Sequence, residues 1–186
     1  RGRARRRPCR TGPASPASAL VGCARDTRRA APTTVAPSGS APVTTAGATD
    51  PVVLGRGLLP SSTEGAPWQF GPVPIGGRVV DGYASTLTGG GTGALTFAIG
   101  GAYRQLTVMI GPAEDPAPTP RAVLFEVIGD GQKNLTAPRT LTSGQREVLL
   151  VDVQGVNQLT LRATETGRAA GTDTAVRPAW VAAILK

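Results

Sequence analysis

Along the second half of the chain, apolar and polar side chains alternate with the two-residue period of a half-buried strand. Val123, Phe125 and Val127 fall on one side of an extended segment, and Leu124, Glu126 and Ile128 fall on the other. That segment runs into Asp130-Gly131, a pair suited to a type I′ turn because both residues tolerate positive φ. A second run, 147–153, closes at Gly155. A third follows at 158–163, with Leu159, Leu161 and Ala163 on one face and Thr160 and Arg162 on the other. Together these runs read as two hairpins of an antiparallel sandwich with one wet side.

Further strands are expected at 77–84, 94–99, 103–110 and 178–185. Residues 60–74 are read as loop, anchored by Trp68 and Phe70, and the apolar segment 52–59 as a piece docked on the domain edge. The triplet Gly89-Gly90-Gly91 is read as a turn, since neither Lys-Ser nor Lys-Thr follows it as a phosphate-cradling loop requires. Residues 112–120 carry four prolines and join two strands as a surface loop, and 133–144 forms a longer connection. No segment shows the 3.6-residue period of a normal-length amphipathic helix. Seven or eight short strands separated by Gly and Pro turns predict an all-β fold, a jelly roll or related antiparallel β-sandwich.

Charge divides the chain. Its formal net charge is +8, yet nine of its 20 Lys and Arg residues lie in 1–30 beside a single acid, Asp26. The remainder balances eleven cations against eleven acids, without the basic face and interleaved aromatics of a nucleic-acid surface. No nucleic-acid partner is expected. Eleven of the 17 prolines lie at or before Pro74, and residues 31–50 are almost entirely Ala, Pro, Thr and Ser. Such a stretch buries too little to offset its conformational entropy. The expected organisation is an Arg-rich tail or degraded signal or anchor region over 1–30, a disordered linker or stalk over 31–60, and the β-sandwich over 61–186.

Within the tail, Leu20-Val21-Gly22-Cys23 resembles a bacterial lipobox, which makes Cys23 a candidate for lipidation. Pro13, Ser15, Pro16 and Ser18 interrupt the apolar run that a signal peptide needs. No run reaches the ~18 apolar residues of a membrane helix, so a membrane is expected as a partner only through an N-terminal anchor. Cys9 and Cys23 are the only two cysteines, leaving the domain without thiol chemistry. A Cys9–Cys23 disulfide would staple the tail alone.

Catalysis has little to stand on. The chain has no histidine, no Gly-x-Ser-x-Gly elbow, no zinc-ligand spacing and no dinucleotide fingerprint. Glu114-Asp115, an adjacent acid pair, sits in a Pro-rich loop that makes a poor rigid platform. A non-enzyme without cofactor is expected. Calcium held by loop carbonyls and one or two carboxylates would suit such a fold, but no Asp-rich loop is present.

A sugar site pairs an aromatic face with planar polar groups. Phe97, Phe125 and Trp180 lie in strand contexts and are read as core. Tyr83, at a strand end where the Gly-rich loop opens, is the first candidate for a stacking platform, and Trp68 is the second. Arg168 and Asp173, in the polar loop 166–174, are candidate ligand contacts that also read as a surface salt bridge. Phe70 and Tyr103 are the remaining aromatics, and all four also read as packing residues.

Several of these blocks resemble the NPCBM family of carbohydrate-binding modules. The matching residues are Gly77 and Tyr83, then Tyr103-Arg104-Gln105-Leu106-Thr107 with Ile110-Gly111. The strongest block is Val123–Gly131 (VLFEVIGDG), followed by Val151-Asp152-Val153-Gln154-Gly155-Val156, Leu159-Thr160-Leu161, and Trp180 with Ala182. The resemblance covers roughly residues 68–186. It implies a galactose-binding-like jelly roll that binds a glycan or cell-wall polysaccharide weakly through strand-end loops. The parent would be a secreted or cell-envelope protein, outside the cell and, from the Ala, Gly, Arg and Pro bias, of a high-GC bacterium. The chain departs from the family at Ala84–Gly91, where a histidine is usual, and before Trp180, where Val176-Arg177-Pro178 follows Asp173. Both departures fall in loops that carry ligand contacts. The alternative is a protein-interaction or sensory ectodomain on the same fold.

Overall fold

The computed structural model describes residues 50–114, 121–167 and 175–186. The expected disorder of 1–49, and the expectations for Cys9, Cys23, Asp115, Arg168 and Asp173, lie outside the described residues.

The described residues form β1 (Val52–Val53), β2 (Ser62–Gly65), β3 (Trp68–Ile75), β4 (Arg78–Ser85), β5 (Thr92–Ala98) and β6 (Gln105–Pro112). These are followed by β7 (Ala122–Gly129), β8 (Lys133–Asn134), β9 (Arg139–Thr142), β10 (Glu147–Asp152), β11 (Gln158–Thr166) and β12 (Pro178–Leu185). Every pairing between named strands is antiparallel. The first sheet runs β10-β6-β12-β4-β3, with β1 also on β12. The second runs β2-β5-β11-β7-β8, with β9 also on β7. The expected jelly-roll sandwich is the observed fold.

Alternation places the core. Leu159, Leu161 and Ala163 of β11 and Val123, Phe125 and Val127 of β7 point between the sheets and are essentially inaccessible. Leu106, Val108 and Ile110 of β6 and Trp180 of β12 meet them from the other side. Trp180 does more than cap this core: it is fully buried, edge-on to Phe125 at 5.2 Å between centroids. Such a contact adds roughly 0.5–1.5 kcal/mol beyond area burial. The Asp130-Gly131 turn forms as expected, with φ of 47° and 79°. The Asp130 carboxylate additionally accepts the Asn157 and Gln158 amides, both at 3.0 Å.

Three expectations need correcting. First, 147–153 and 158–163 are not a hairpin. They are β10 and β11, and the connection between them crosses from one sheet to the other. Both alternate in the same way, so alternation gives no sign of the crossing. Second, 60–74 is not loop. It contains β2 and β3, and Pro72 and Pro74 are tolerated because β3 is an edge strand with no further ladder to supply. Third, the apolar segment 52–59 is docked on a central strand and not on the domain edge. Val52–Leu54 pair with β12, and Leu54 is 1% exposed.

One further device shapes the first sheet. The β3–β4 hairpin folds back over its outer face, so Val73 and Ile75 pack on Ala84, Ala113, Ala179 and Val181 in a second apolar cluster. Gly82 makes this possible, because a Cβ there would lie 2.4 Å from the Trp180 carbonyl oxygen. The hairpin tip is fixed by the Gly77 amide donating to Glu114 Oε1 at 2.6 Å.

Candidate functional site at the loop end

At one end of the sandwich β4, β6 and β11 end and β5, β7 and β12 begin. There lies a buried ion pair between Arg121 and Glu165, with side chains 3% and 2% exposed. Glu165 follows Leu159, Leu161 and Ala163 at the same inward parity of β11, so its carboxylate enters the end of the core. Its second oxygen accepts the Gly90 amide at 3.0 Å, and its own amide donates to the Gly91 carbonyl at 2.9 Å. The Gly-rich turn is therefore tied down. Reciprocal backbone bonds between Leu87 and Val176, at 2.8 and 2.9 Å, clamp the β4–β5 connection to the start of β12.

Beside this clamp, along edge strand β3, runs a recess of about 290 Å³. Gln69, Phe70, Ser85, Thr86 and Arg177 line it. It is edged by the Gln69 amide, the Thr86 hydroxyl and the Arg177 guanidinium, groups that pair with sugar hydroxyls. Ser85 is partly committed, donating to the Pro67 carbonyl at 2.9 Å.

Trp68 and Tyr83 are brought together here, but not as a stacking platform. Trp68 opposes Ser85 and Phe70 opposes Tyr83 in the β3–β4 ladder, which sets all four on the inward face. Tyr83 is 5% exposed, flanked edge-on by Phe70 at 5.2 Å and Phe97 at 6.0 Å. No face is left for a sugar, and the stacking role is withdrawn. Burial also raises the pKa of its phenol. Trp68 is half-buried against the core, with its indole nitrogen 3.0 Å from where a Cβ on Gly93 would lie. It closes the gap between β3 and β5. Its Nε1–H is buried and finds no acceptor among the described residues.

Gln69, Thr86, Arg177 and the Arg121–Glu165 pair escaped the sequence reading. A charged residue at an inward position of an alternating strand was a usable signal for Glu165. Gln69 and Thr86 gave none beyond lying near ligand-bearing loops.

Other hollows lie elsewhere on the described residues. One, of about 390 Å³ at the opposite end, is lined by Asp130, Gln132, Lys133, Asp152 and Gln154. Another, of about 490 Å³ on the outer face of the second sheet, is lined by Ser62, Glu64, Thr96, Gln158, Thr160 and Arg162. Among the described residues no three carboxylates or thiols converge to hold a metal. No helix among them is long and apolar enough to cross a membrane.

A family model described as the NPCBM/NEW2 domain matches residues 60–186. Among solved structures, the fold is similar to the CBM51 module of Clostridium perfringens GH95 in complex with methyl-galactose. That match has TM-score 0.53 and 17% identity, covering 69% of this chain and 95% of that one. It is also similar to a Clostridium perfringens ZmpB structure holding the M60 catalytic domain with CBM51-1 and CBM51-2. There the TM-score is 0.51 and identity 17%, over 69% of this chain but only 14% of the other. No curated protein matches the chain.

Proposed function

The chain belongs to the NPCBM/NEW2 domain family, and from that membership we propose that it is a non-catalytic carbohydrate-binding module. The family match over residues 60–186, which spans β2 to β12, is the observation that carries this reading. The Clostridium perfringens CBM51 neighbour, solved with methyl-galactose, has the same fold with its own sugar bound. In this chain the sugar would lie in the loop-end recess, with Gln69, Thr86 and Arg177 taking its hydroxyls. Arg168 and Asp173, from the neighbouring connection, are proposed as additional polar contacts. A shallow recess with few polar anchors gives weak binding. A bacterial cell surface or its exterior is the proposed setting, with a glycan or wall polysaccharide as partner and the residues ahead of β1 as a tether.

The test is a glycan array probed with the full chain, carrying galactosides, N-acetylglucosamine and bacterial wall polysaccharides. A specific hit is expected, weakened roughly 3- to 10-fold by Gln69→Ala or Thr86→Ala, the worth of one hydrogen bond, and unmoved by Tyr83→Phe. A blank array from protein with an intact β-sheet spectrum would overturn the proposal.

A further inference from the structure

β10 is the last strand of the first sheet, and among the described residues its only strand partner is β6. Exposed edges of this kind are usually blunted by Lys, Pro, a bulge or extreme shortness. β10 has none of these. Its register with β6 is unbroken from Glu147↔Ile110 to Asp152↔Gln105. Its outward side chains include Val148 at 59% and Leu150 at 66% exposure, two of the four exposed large hydrophobics among the described residues.

The outward stripe from residue 146 reads Arg146, Val148, Leu150, Asp152: a cation, two apolar groups and an anion. Arg146 rests over Gly76 at the β3–β4 tip, and Asp152 accepts the Gln154 amide at 2.9 Å. Neither forms an ion pair among the described residues. Read against itself in the antiparallel sense, this stripe is self-complementary.

We propose that a second copy of this chain pairs with β10 edge to edge, antiparallel about a two-fold axis through Leu149. In an antiparallel ladder directly opposed residues share a face. This register therefore sets Val148 against the partner's Leu150 and Arg146 against the partner's Asp152, each twice. Moving the axis to Leu150 sets Val148 against the partner's Asp152. Moving it to Val148 sets Leu150 against the partner's Arg146. Only the Leu149 register matches apolar with apolar and charge with opposite charge, as an isologous interface requires. The contact is small, so the dissociation constant should be micromolar or weaker. A dimer would present two loop-end recesses at once, but the inference does not depend on what they bind.

Sedimentation equilibrium of the full chain, at loadings up to roughly 1 mM to cover weak association, should show a monomer–dimer equilibrium. Arg146→Asp and Asp152→Arg should each weaken it roughly 10- to 100-fold by placing like charges opposite one another. Mixing the two single variants should restore association through a heterodimer, and the double variant should restore it alone. Recovery on mixing also shows that both single variants are folded. A wild-type chain that stays monomeric throughout, or a dimer that ignores both single changes, would sink the proposal.

Discussion

β12 and β11 are both central strands, yet they carry opposite burdens. In β12 the core face holds Trp180, and the outer face, with Ala179 and Val181, is just as inaccessible because the folded-back β3–β4 hairpin covers it. In β11 the core face holds Leu159 and Leu161, while Thr160, Arg162 and Thr164 stay half-open on the other side. There the hydroxyls of Thr96 and Thr160 meet at 3.0 Å, and Arg162 Nε donates to Glu126 at 2.8 Å. A strand covered twice is written as an apolar run, PAWVAAIL, and one covered once as alternation, QLTLRATET. Around β12 the first sheet is a middle layer of packing, while the second is a wall with a wet exterior.

Introducing the same charge on the two outer faces tests this contrast most severely. Val181→Asp puts an unpaired carboxylate between two apolar layers and should cost more than about 4 kcal/mol, enough to prevent folding. Thr160→Asp should stay within about 1 kcal/mol, read as urea midpoints. Similar losses would mean that the hairpin does not seal the first sheet.

The next test compares the two sides of β11 itself. Glu165→Ala removes the buried carboxylate that faces Arg121 and should cost about 3–5 kcal/mol, with faster amide exchange at Gly90. Glu126→Ala breaks a pair whose arginine is 41% exposed and should cost less than about 1 kcal/mol. Equal costs would show that the inner pair is hydrated.

The mildest test concerns pH. Burial raises the Tyr83 phenol above its ordinary pKa near 10. The unfolded chain therefore releases this proton before the folded one. Stability is full below about pH 10, then falls as pH rises toward the folded value, by at most about 1.4 kcal/mol per unit. Tyr83→Phe should flatten that decline in thermal melts. An unchanged profile would place the hydroxyl in water and reopen Tyr83 as a ligand contact.

What could be read from sequence followed from how many faces a strand buries. β7 and β11 were legible because alternation reports a one-sided strand directly. β3 was not, since Pro72 and Pro74 argue against a central strand but say nothing against an edge. Tyr83 was misplaced because β4 bends where Gly82 lies against Trp180, so Val79 is 70% exposed while Tyr83, at the same parity, is buried. The recess joins Gln69 to Arg177, and no local pattern encodes a meeting over that separation.

The position of β1 has a mechanical consequence. Val52 lies opposite Leu185, and the Leu54 amide donates to the Ala183 carbonyl at 2.9 Å. The chain thus enters β1 at the end of the sandwich opposite the loop-end recess. If that recess is gripped while the preceding chain is pulled, the load runs along β1 and β12 rather than across them. Their hydrogen bonds then share the force in shear instead of opening one at a time, and Leu54 must leave the core before the strand can slip.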